Sequence, residues 1–149
     1  MTHRIDIADS LAYRIYRAQR LLRRDLFRIA ARAGADLTPE QWFVLNKLRL
    51  RDGQAQVELG ESIFADRPNM TRIVHGLQKR GLVERRRDPE DGRKALVHLT
   101  PQGKETHDRV AGVVAPERDR LFEGISSEQM RTAFTVLEQI ERNVLSGSE

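Results

Sequence analysis

Residues 66–100, DRPNMTRIVHGLQKRGLVERRRDPEDGRKALVHLT, decide the fold of this chain. The first part carries apolar residues at helical spacing and ends at Gly81, which predicts a helix and its stop. Two short runs of strand type follow, at 82–87 and 94–100. A basic helix followed directly by a basic hairpin is the order of a winged helix-turn-helix, whose helix enters the major groove of DNA while the hairpin contacts the neighbouring backbone or minor groove.

The Asp91-Gly92 pair between the two strand-like runs has the composition of a tight hairpin turn. Before the hairpin, Asp66 predicts an N-cap for the helix, and Pro68 lies in its first turn, where the missing N–H is tolerated. A stripe of apolar residues predicts the buried face of this helix: Met70, Ile73, Val74 and Leu77.

Composition bounds the class of protein. The chain has 149 residues, enough for one domain, and carries 26 basic against 22 acidic side chains. It contains no cysteine, which excludes disulfides and thiolate metal sites. No apolar run approaches the roughly 18 residues of a membrane span, and the N-terminus lacks the pattern of a signal peptide, so we expect a cytoplasmic protein without membrane contact.

Charge is unevenly distributed along the sequence. Residues 67–94 hold nine basic and four acidic side chains, whereas residues 101–149 hold six and nine. A positive middle and a negative last third indicate one surface that faces an anion and another that faces away from it, although scattered solvated charge is the alternative.

The flanking segments predict long helices. Apolar residues recur at steps of three and four between about Ile7 and Arg32, and a second helix opens with the capping box of Thr38 and Gln41. A short helix is expected over 56–64. Two more helices follow the hairpin, and the outer helices carry more apolar surface than the central unit can cover, which favours a second copy of the chain as partner.

We therefore expect a mainly α protein with a winged helix-turn-helix core between long terminal helices. The sequence shows no repeat or linker, so residues 1–149 are expected to form a single domain. Within it, 37–100 would be the DNA-binding lobe, and 1–36 with 101–149 would be the dimerisation helices.

At this level of detail the chain resembles the MarR family of bacterial transcription regulators over nearly its full length. The matching segments, in order, are Leu37–Gln41, Val57–Leu59, Met70–Val74 with Leu77, Gly81–Arg85, Asp91–Arg93 and Leu99–Gly103. Each segment is weak alone, but their order and spacing are specific. One departure is Gly60, where the family usually has alanine, at a cost in helix propensity of about 1 kcal/mol.

The resemblance implies a homodimer that binds a pseudo-palindromic operator on double-stranded DNA, usually as a repressor. It also implies release by a small aromatic or anionic effector, bound where the dimerisation region meets the DNA-binding lobe. In the family's wing motif the aspartate braces the arginine that enters the minor groove, and here these residues are Asp91 and Arg93. No cofactor is expected.

The candidate DNA-binding residues lie on the recognition helix and the wing. Arginine and asparagine are the side chains that pair with guanine and adenine edges, and a helix start can receive a phosphate. Because strand side chains alternate between faces, only some of Arg85, Arg86 and Arg87 can face DNA together. The predicted DNA-binding set is Arg67, Asn69, Thr71, Arg72, His75, Arg85, Arg87, Asp91, Arg93 and Lys94.

An effector pocket between the first two helices would use aromatic side chains, and the candidates are Tyr13, Tyr16, Trp42 and Phe43. Aromatic residues at helical spacing are more often plain core, and that alternative stays open. A regulator that binds DNA without any ligand also stays open.

Two other classes fit the sequence less well. An enzyme is not expected, because the four histidines form no metal-spaced pair and no phosphate loop or nucleophile elbow is present. A winged helix used only for protein contacts would not need a positive recognition face or Arg93. The operator, the regulated genes and the effector cannot be read from the sequence.

Overall fold

The structure, a computed structural model, describes residue 7 and residues 10–147. Its elements in chain order are α1 (Leu11–Arg32), α2 (Pro39–Leu50), β1 (Gln54–Ala55), α3 (Gln56–Ser62), α4 (Arg67–Lys79), β2 (Val83–Arg87), β3 (Ala95–Leu99), α5 (Pro101–Leu121) and α6 (Ser127–Ser146). The chain divides into two compact units, Met1–Ala115 and Pro116–Glu149. The predicted mainly α fold with a winged helix-turn-helix core is confirmed.

The helix starts follow the predicted capping chemistry. The hydroxyl of Thr38 accepts from the backbone N–H of Gln41, and the Gln41 side chain returns a bond to the Thr38 N–H. The Asp66 carboxylate accepts from the N–H of Asn69 at 2.8 Å, which fixes the first turn of α4. Gly81 ends that helix with φ of 69°, a left-handed conformation that favours glycine.

Two boundaries differ from the prediction. The first helix begins at Leu11 rather than near Ile7, while residues 1–6, 8 and 9 lie outside the described residues. The third helix ends at Ser62 rather than at Phe64, because the chain reverses there. Phe64 has φ of 53° and is 85% exposed, so it forms part of the turn between α3 and α4.

The sheet contains a strand that the sequence pattern did not predict. Its order is β1-β3-β2, with both pairs antiparallel. The first strand has only two residues, too few to show alternation, and Gln54 pairs with Val97 of β3. The buried Gln54 side chain donates to the Lys47 carbonyl at 3.0 Å, which joins the sheet to the end of α2.

The loop of the hairpin lies close to the predicted interval. The last β2–β3 pair is Arg87 with Ala95, so residues 88–94 form the loop, one residue more than the interval 88–93 between the two predicted strands. Within it the Lys94 N–H donates to the Asp91 carbonyl at 2.9 Å, which closes a four-residue turn through Asp91 and Gly92. Aspartate and glycine therefore do form a turn, but the turn lies at the tip of a wider loop.

One core holds the first unit together. Met70, Ile73, Val74 and Leu77 of α4 are buried, as predicted, and α4 packs against α3, α2 and β2. The core reaches beyond 37–100, since it includes Ala30 and Ala33 at the end of α1 and Val110 of α5. Its remaining members are Ala35, Leu37, Trp42, Val44, Leu45, Leu48, Leu59, Leu82, Val83, Val97 and Leu99.

Polar contacts attach α5 to α2. The buried His107 ring stacks on Trp42 with ring centroids 5.0 Å apart, and its Nε2 lies 3.1 Å from Asn46 Oδ1. The next residue, Asp108, receives Arg49 Nε at 3.0 Å. The hydrogen bond from the Arg49 guanidinium lowers the pKa of Asp108 to about 2, and the hydrogen bond with His107 contributes less to the same shift. This carboxylate therefore stays ionised at neutral pH.

A second junction joins the end of α4, both wing strands and the start of α5. The Thr100 N–H donates to the Leu82 carbonyl at 3.1 Å, and the Thr100 hydroxyl donates to the Gly81 carbonyl while it accepts from the Gly103 N–H at 2.9 Å. The buried Gly103 backbone lies directly against Leu82, and a Cβ at residue 103 would collide with the Leu82 carbonyl oxygen. We refer to Gly81, Leu82, Thr100 and Gly103 as the wing junction.

The second unit contains α6 and the end of α5. Ser126 and Gln129 form a capping box at the start of α6. The apolar stripe on this helix is largely exposed, with Phe134 at 60% and Val144 at 62%. In the described part of the chain, no helix combines the length and apolarity needed to cross a membrane.

We predict that Gly103→Ala destabilises the protein by about 1–3 kcal/mol, because the added methyl group must displace backbone at the wing junction. Urea titration of the unfolding transition measures the change. The matched control is Gly112→Ala in the same helix, where a Cβ meets nothing within 4 Å. That substitution should be neutral or stabilising by up to about 1 kcal/mol. Equal stabilities of the two variants would contradict the packing described.

Candidate nucleic-acid interface

The outer face of α4 carries the residues predicted to read DNA. Arg67, Thr71, Arg72 and His75 are exposed, and Asn69 is half-buried. Arg72 donates to Asn69 Oδ1 at 3.1 Å, so the two side chains form a pair one turn apart on the surface. Their polar groups point away from the core, as base recognition requires.

The three arginines of β2 divide between two faces, as strand geometry predicted. Arg86 lies on the opposite face from Arg85 and forms an ion pair with Glu84 through its Nε at 2.9 Å. Arg85 is on the same face as Val83, where its guanidinium donates to Gln56 Oε1 at 2.6 Å. Arg87 is exposed at the end of the strand. Arg86 is therefore neutralised by its neighbour.

The wing loop is shaped by its aspartates. The Asp91 carboxylate accepts from the backbone N–H of Arg93 at 3.1 Å, and the Asp88 carboxylate accepts from the N–H of Glu90 at 2.8 Å. Asp91 thus contacts Arg93 as the family resemblance implied, but the hydrogen bond is to the main chain of Arg93 and not to its guanidinium. The exposed Arg93 side chain projects from a fixed turn.

A groove separates the wing from α3 and the start of α4, and we refer to it as the wing groove. Its volume is about 1140 Å³. It brings together four of the predicted basic residues, Arg67, Arg85, Arg93 and Lys94. The other lining residues are Ala55, Gln56, Val57, Glu58, Gly60, Glu61, Phe64, Ala65, Asp66, Met70, Ala95 and Val97.

Three acidic side chains line the wing groove beside its four cations: Glu58, Glu61 and Asp66. The Asp66 carboxylate caps α4, and Glu58 accepts from the Ala55 N–H at 3.2 Å and from Arg51 at 3.4 Å. The lining therefore carries a formal net charge of +1, with its cations on the wing and at the start of α4.

Sequence reasoning missed Gln56, Val57 and Phe64 as residues of the groove. Gln56 is the first residue of α3, and its backbone position beside the wing depends on β1, the strand that the pattern did not show. The sequence predicted Phe64 to be the last residue of a short helix, whereas it lies in the turn after α3. The signal that would have located Gln56 is its place at the start of the first helix of the helix-turn-helix, which crosses the DNA backbone.

The aromatic effector candidates are not brought to one face. Trp42 is 7% exposed and belongs to the core, where it stacks on His107. Phe43, the next residue of α2, is exposed. Tyr13 is half-buried and Tyr16 is exposed on α1. Trp42 is therefore a core residue, as the alternative interpretation of the aromatic residues expected. An effector-binding role of Tyr13, Tyr16, Trp42 and Phe43 stays a prediction.

The fold and the wing groove define a winged helix-turn-helix protein with a cationic interface. Comparison with known families agrees with this class, because residues 37–95 match the model of the MarR family. The chain belongs to the MarR family of DNA-binding transcription regulators.

Solved structures extend the likeness over the terminal helices. The transcriptional repressor CouR bound to a 23-mer DNA duplex is 30% identical, with a TM-score of 0.80 over 91% of this chain and 95% of that one. The PcaV regulator from Streptomyces coelicolor in complex with its natural ligand is 25% identical, with a TM-score of 0.81. The match covers 95% of this chain and 98% of PcaV. CouR bound to p-coumaroyl-CoA is 28% identical, with a TM-score of 0.79, and the match covers 95% of this chain and 99% of that one.

We predict that Arg93→Ala weakens binding to a specific duplex about tenfold or more, because a charge-assisted contact is lost from the wing. The dependence of log Kd on log salt should also fall by about one unit, as one phosphate contact disappears. Fluorescence anisotropy at several salt concentrations measures both quantities. Lys104→Ala is the control, since it removes one exposed positive charge from α5. If Arg93→Ala and Lys104→Ala lost equal affinity for the duplex, a local role of Arg93 in binding would be excluded.

Proposed function

We propose that this protein is a sequence-specific repressor that binds a pseudo-palindromic operator as a homodimer and leaves it when a small molecule binds. The observation that carries the proposal is the wing groove, where four cations of α4 and the wing face one channel beside an exposed recognition surface. A DNA strand would lie in the groove, with α4 in the major groove and Arg93 toward the minor groove.

In this proposal the outer face of α4 supplies the base contacts, and the wing together with the first residue of α4 supplies the backbone contacts. Arg72, Asn69, Thr71 and His75 would read base edges, since arginine and asparagine recognise guanine and adenine. Arg67, Arg85, Arg87 and Lys94 would contact phosphates, which position the protein without reading sequence. Asp91 would act indirectly, because it holds the main chain of Arg93.

Exposed apolar residues on the terminal helices support a dimer. On α1 they are Leu11, Tyr16, Leu21, Leu22 and Phe27, and on α6 they are Phe134, Val136, Leu137, Val144 and Leu145. Apolar surface of this extent normally marks an interface in a protein that stays in solution. We propose that 1–36 and 101–149 form the dimerisation region and 37–100 the DNA-binding lobe.

Effector control rests on the relatives. PcaV was solved with its natural ligand and CouR with p-coumaroyl-CoA. Because these relatives bind such ligands, this protein would respond to a small aromatic or anionic molecule. The candidate contacts are Tyr13, Tyr16, Trp42 and Phe43. A ligand that favours one dimer geometry would change the spacing of the two recognition helices and so the affinity for the operator.

Selection of duplexes from a random-sequence library tests the proposed function. We predict enrichment of a two-fold symmetric sequence whose half-sites are about 10 base pairs apart, with affinity that falls steeply as salt rises. Enrichment of no sequence would overturn the proposal and favour a module for protein contacts. Screening aromatic acids and their coenzyme A esters against the selected duplex then separates ligand-controlled from ligand-independent binding.

Leu137→Glu tests the dimer, because it places a charge on the apolar stripe of α6. We predict a shift from dimer to monomer in sedimentation and a loss of affinity for the symmetric duplex of at least about tenfold. Gln139→Glu introduces the same charge away from the stripe and should remain dimeric. A dimeric Leu137→Glu protein that keeps its helical circular dichroism would exclude α6 from the interface.

A further inference from the structure

Three consecutive side-chain hydrogen bonds connect the wing to the recognition helix. The Arg85 guanidinium donates to Gln56 Oε1 at 2.6 Å. Gln56 Nε2 donates to the Thr71 hydroxyl at 2.9 Å, and that hydroxyl donates to the Arg67 carbonyl at 3.0 Å. One glutamine at the start of α3 therefore joins β2 to α4 across the floor of the wing groove.

The chemistry of the partners fixes the direction of this chain. Arginine has only donors, so the amide oxygen of Gln56 must face Arg85. The Thr71 proton is used on the Arg67 carbonyl, so its oxygen must accept from the amide nitrogen. Glutamine satisfies both demands because it carries one acceptor and two donors on a side chain long enough to span the gap.

The two residues held by Gln56 are both exposed and both belong to the predicted DNA-binding set. An exposed arginine side chain ordinarily samples many rotamers, and ordering it on binding weakens affinity. Gln56 is half-buried, and its two hydrogen bonds hold Arg85 and Thr71 at the surface before DNA binds. It also connects β2, which carries a predicted phosphate contact, to α4, which carries the predicted base contacts.

We propose that Gln56 is a positioning residue for DNA recognition, which pre-orders Arg85 toward the phosphate backbone and Thr71 toward the base edges. The proposal rests on the proposed function, since it needs a specific duplex. It assigns Gln56 an action through its two partners rather than a contact of its own with a base.

The test uses the full chain and the duplex selected from the random library. Gln56→Met keeps the length of the side chain and the net charge but removes both hydrogen bonds. The expected result is a Kd raised about three- to tenfold, the cost of ordering one or two side chains on binding. Gln102→Met, an exposed glutamine of α5, is the matched control and should change Kd less than twofold.

Double-mutant cycles separate positioning from direct contact. If Gln56 acts through its partners, Gln56→Met should have less effect on Kd in an Arg85→Met background than in the wild-type protein, and likewise in a Thr71→Val background. Additive effects in both cycles would overturn the proposal, because Gln56 would then contact DNA independently. A structural role alone would lower the thermal midpoint without this non-additivity.

Gln56→Glu adds a second readout. A glutamate keeps the acceptor for Arg85 but has no donor for Thr71, so base discrimination should fall even where the Arg85 contact remains. The ratio of Kd values for the selected duplex and one with a substituted half-site measures this, and an unchanged ratio would contradict the assigned direction of the chain. If the wild-type protein selects no sequence, the proposed function fails; if it does and Gln56→Met binds like wild type, only this inference fails.

Discussion

The structure depends on the close contact between the Gly103 backbone and the Leu82 carbonyl. This contact lets α5 begin directly against the end of α4 and the base of both wing strands, and the Thr100 hydroxyl ties the same point to Gly81. A side chain at residue 103 has no space beside the Leu82 carbonyl, so this close approach of helix and strand requires glycine. Since recognition helix and wing both leave from this point, their separation is fixed by backbone packing rather than by flexible surface contacts.

The fixed separation between the recognition helix and the wing determines where the cations of the wing groove lie. Affinity for a polyanion needs cations at a spacing that matches phosphates, and discrimination needs side chains held toward base edges. The wing junction holds the end of α4 against the base of the wing strands, and the hydrogen bonds of Gln56 join α4 to β2. On the opposite face of β2, Arg86 pairs with Glu84.

The sequence predicted those features of the fold that depend on residues close together in the chain. Capping by Thr38 and Asp66, the stop at Gly81 and the buried stripe of α4 depend on residues a few positions apart. What it did not predict depends on partners distant in the chain. Strand β1 exists only because Gln54 pairs with Val97, and Gln56 lies beside the wing, where Arg85 donates to it.

The central claim is that two copies of one rigid unit, recognition helix and wing, engage DNA together. Hydroxyl-radical footprinting of the wild-type protein on its selected duplex tests it most directly. The account predicts two protected patches related by two-fold symmetry about one helical turn apart, each flanked by protection of the minor groove where a wing lies. A single patch, or protection by the helices without the flanking minor-groove signal, would contradict it.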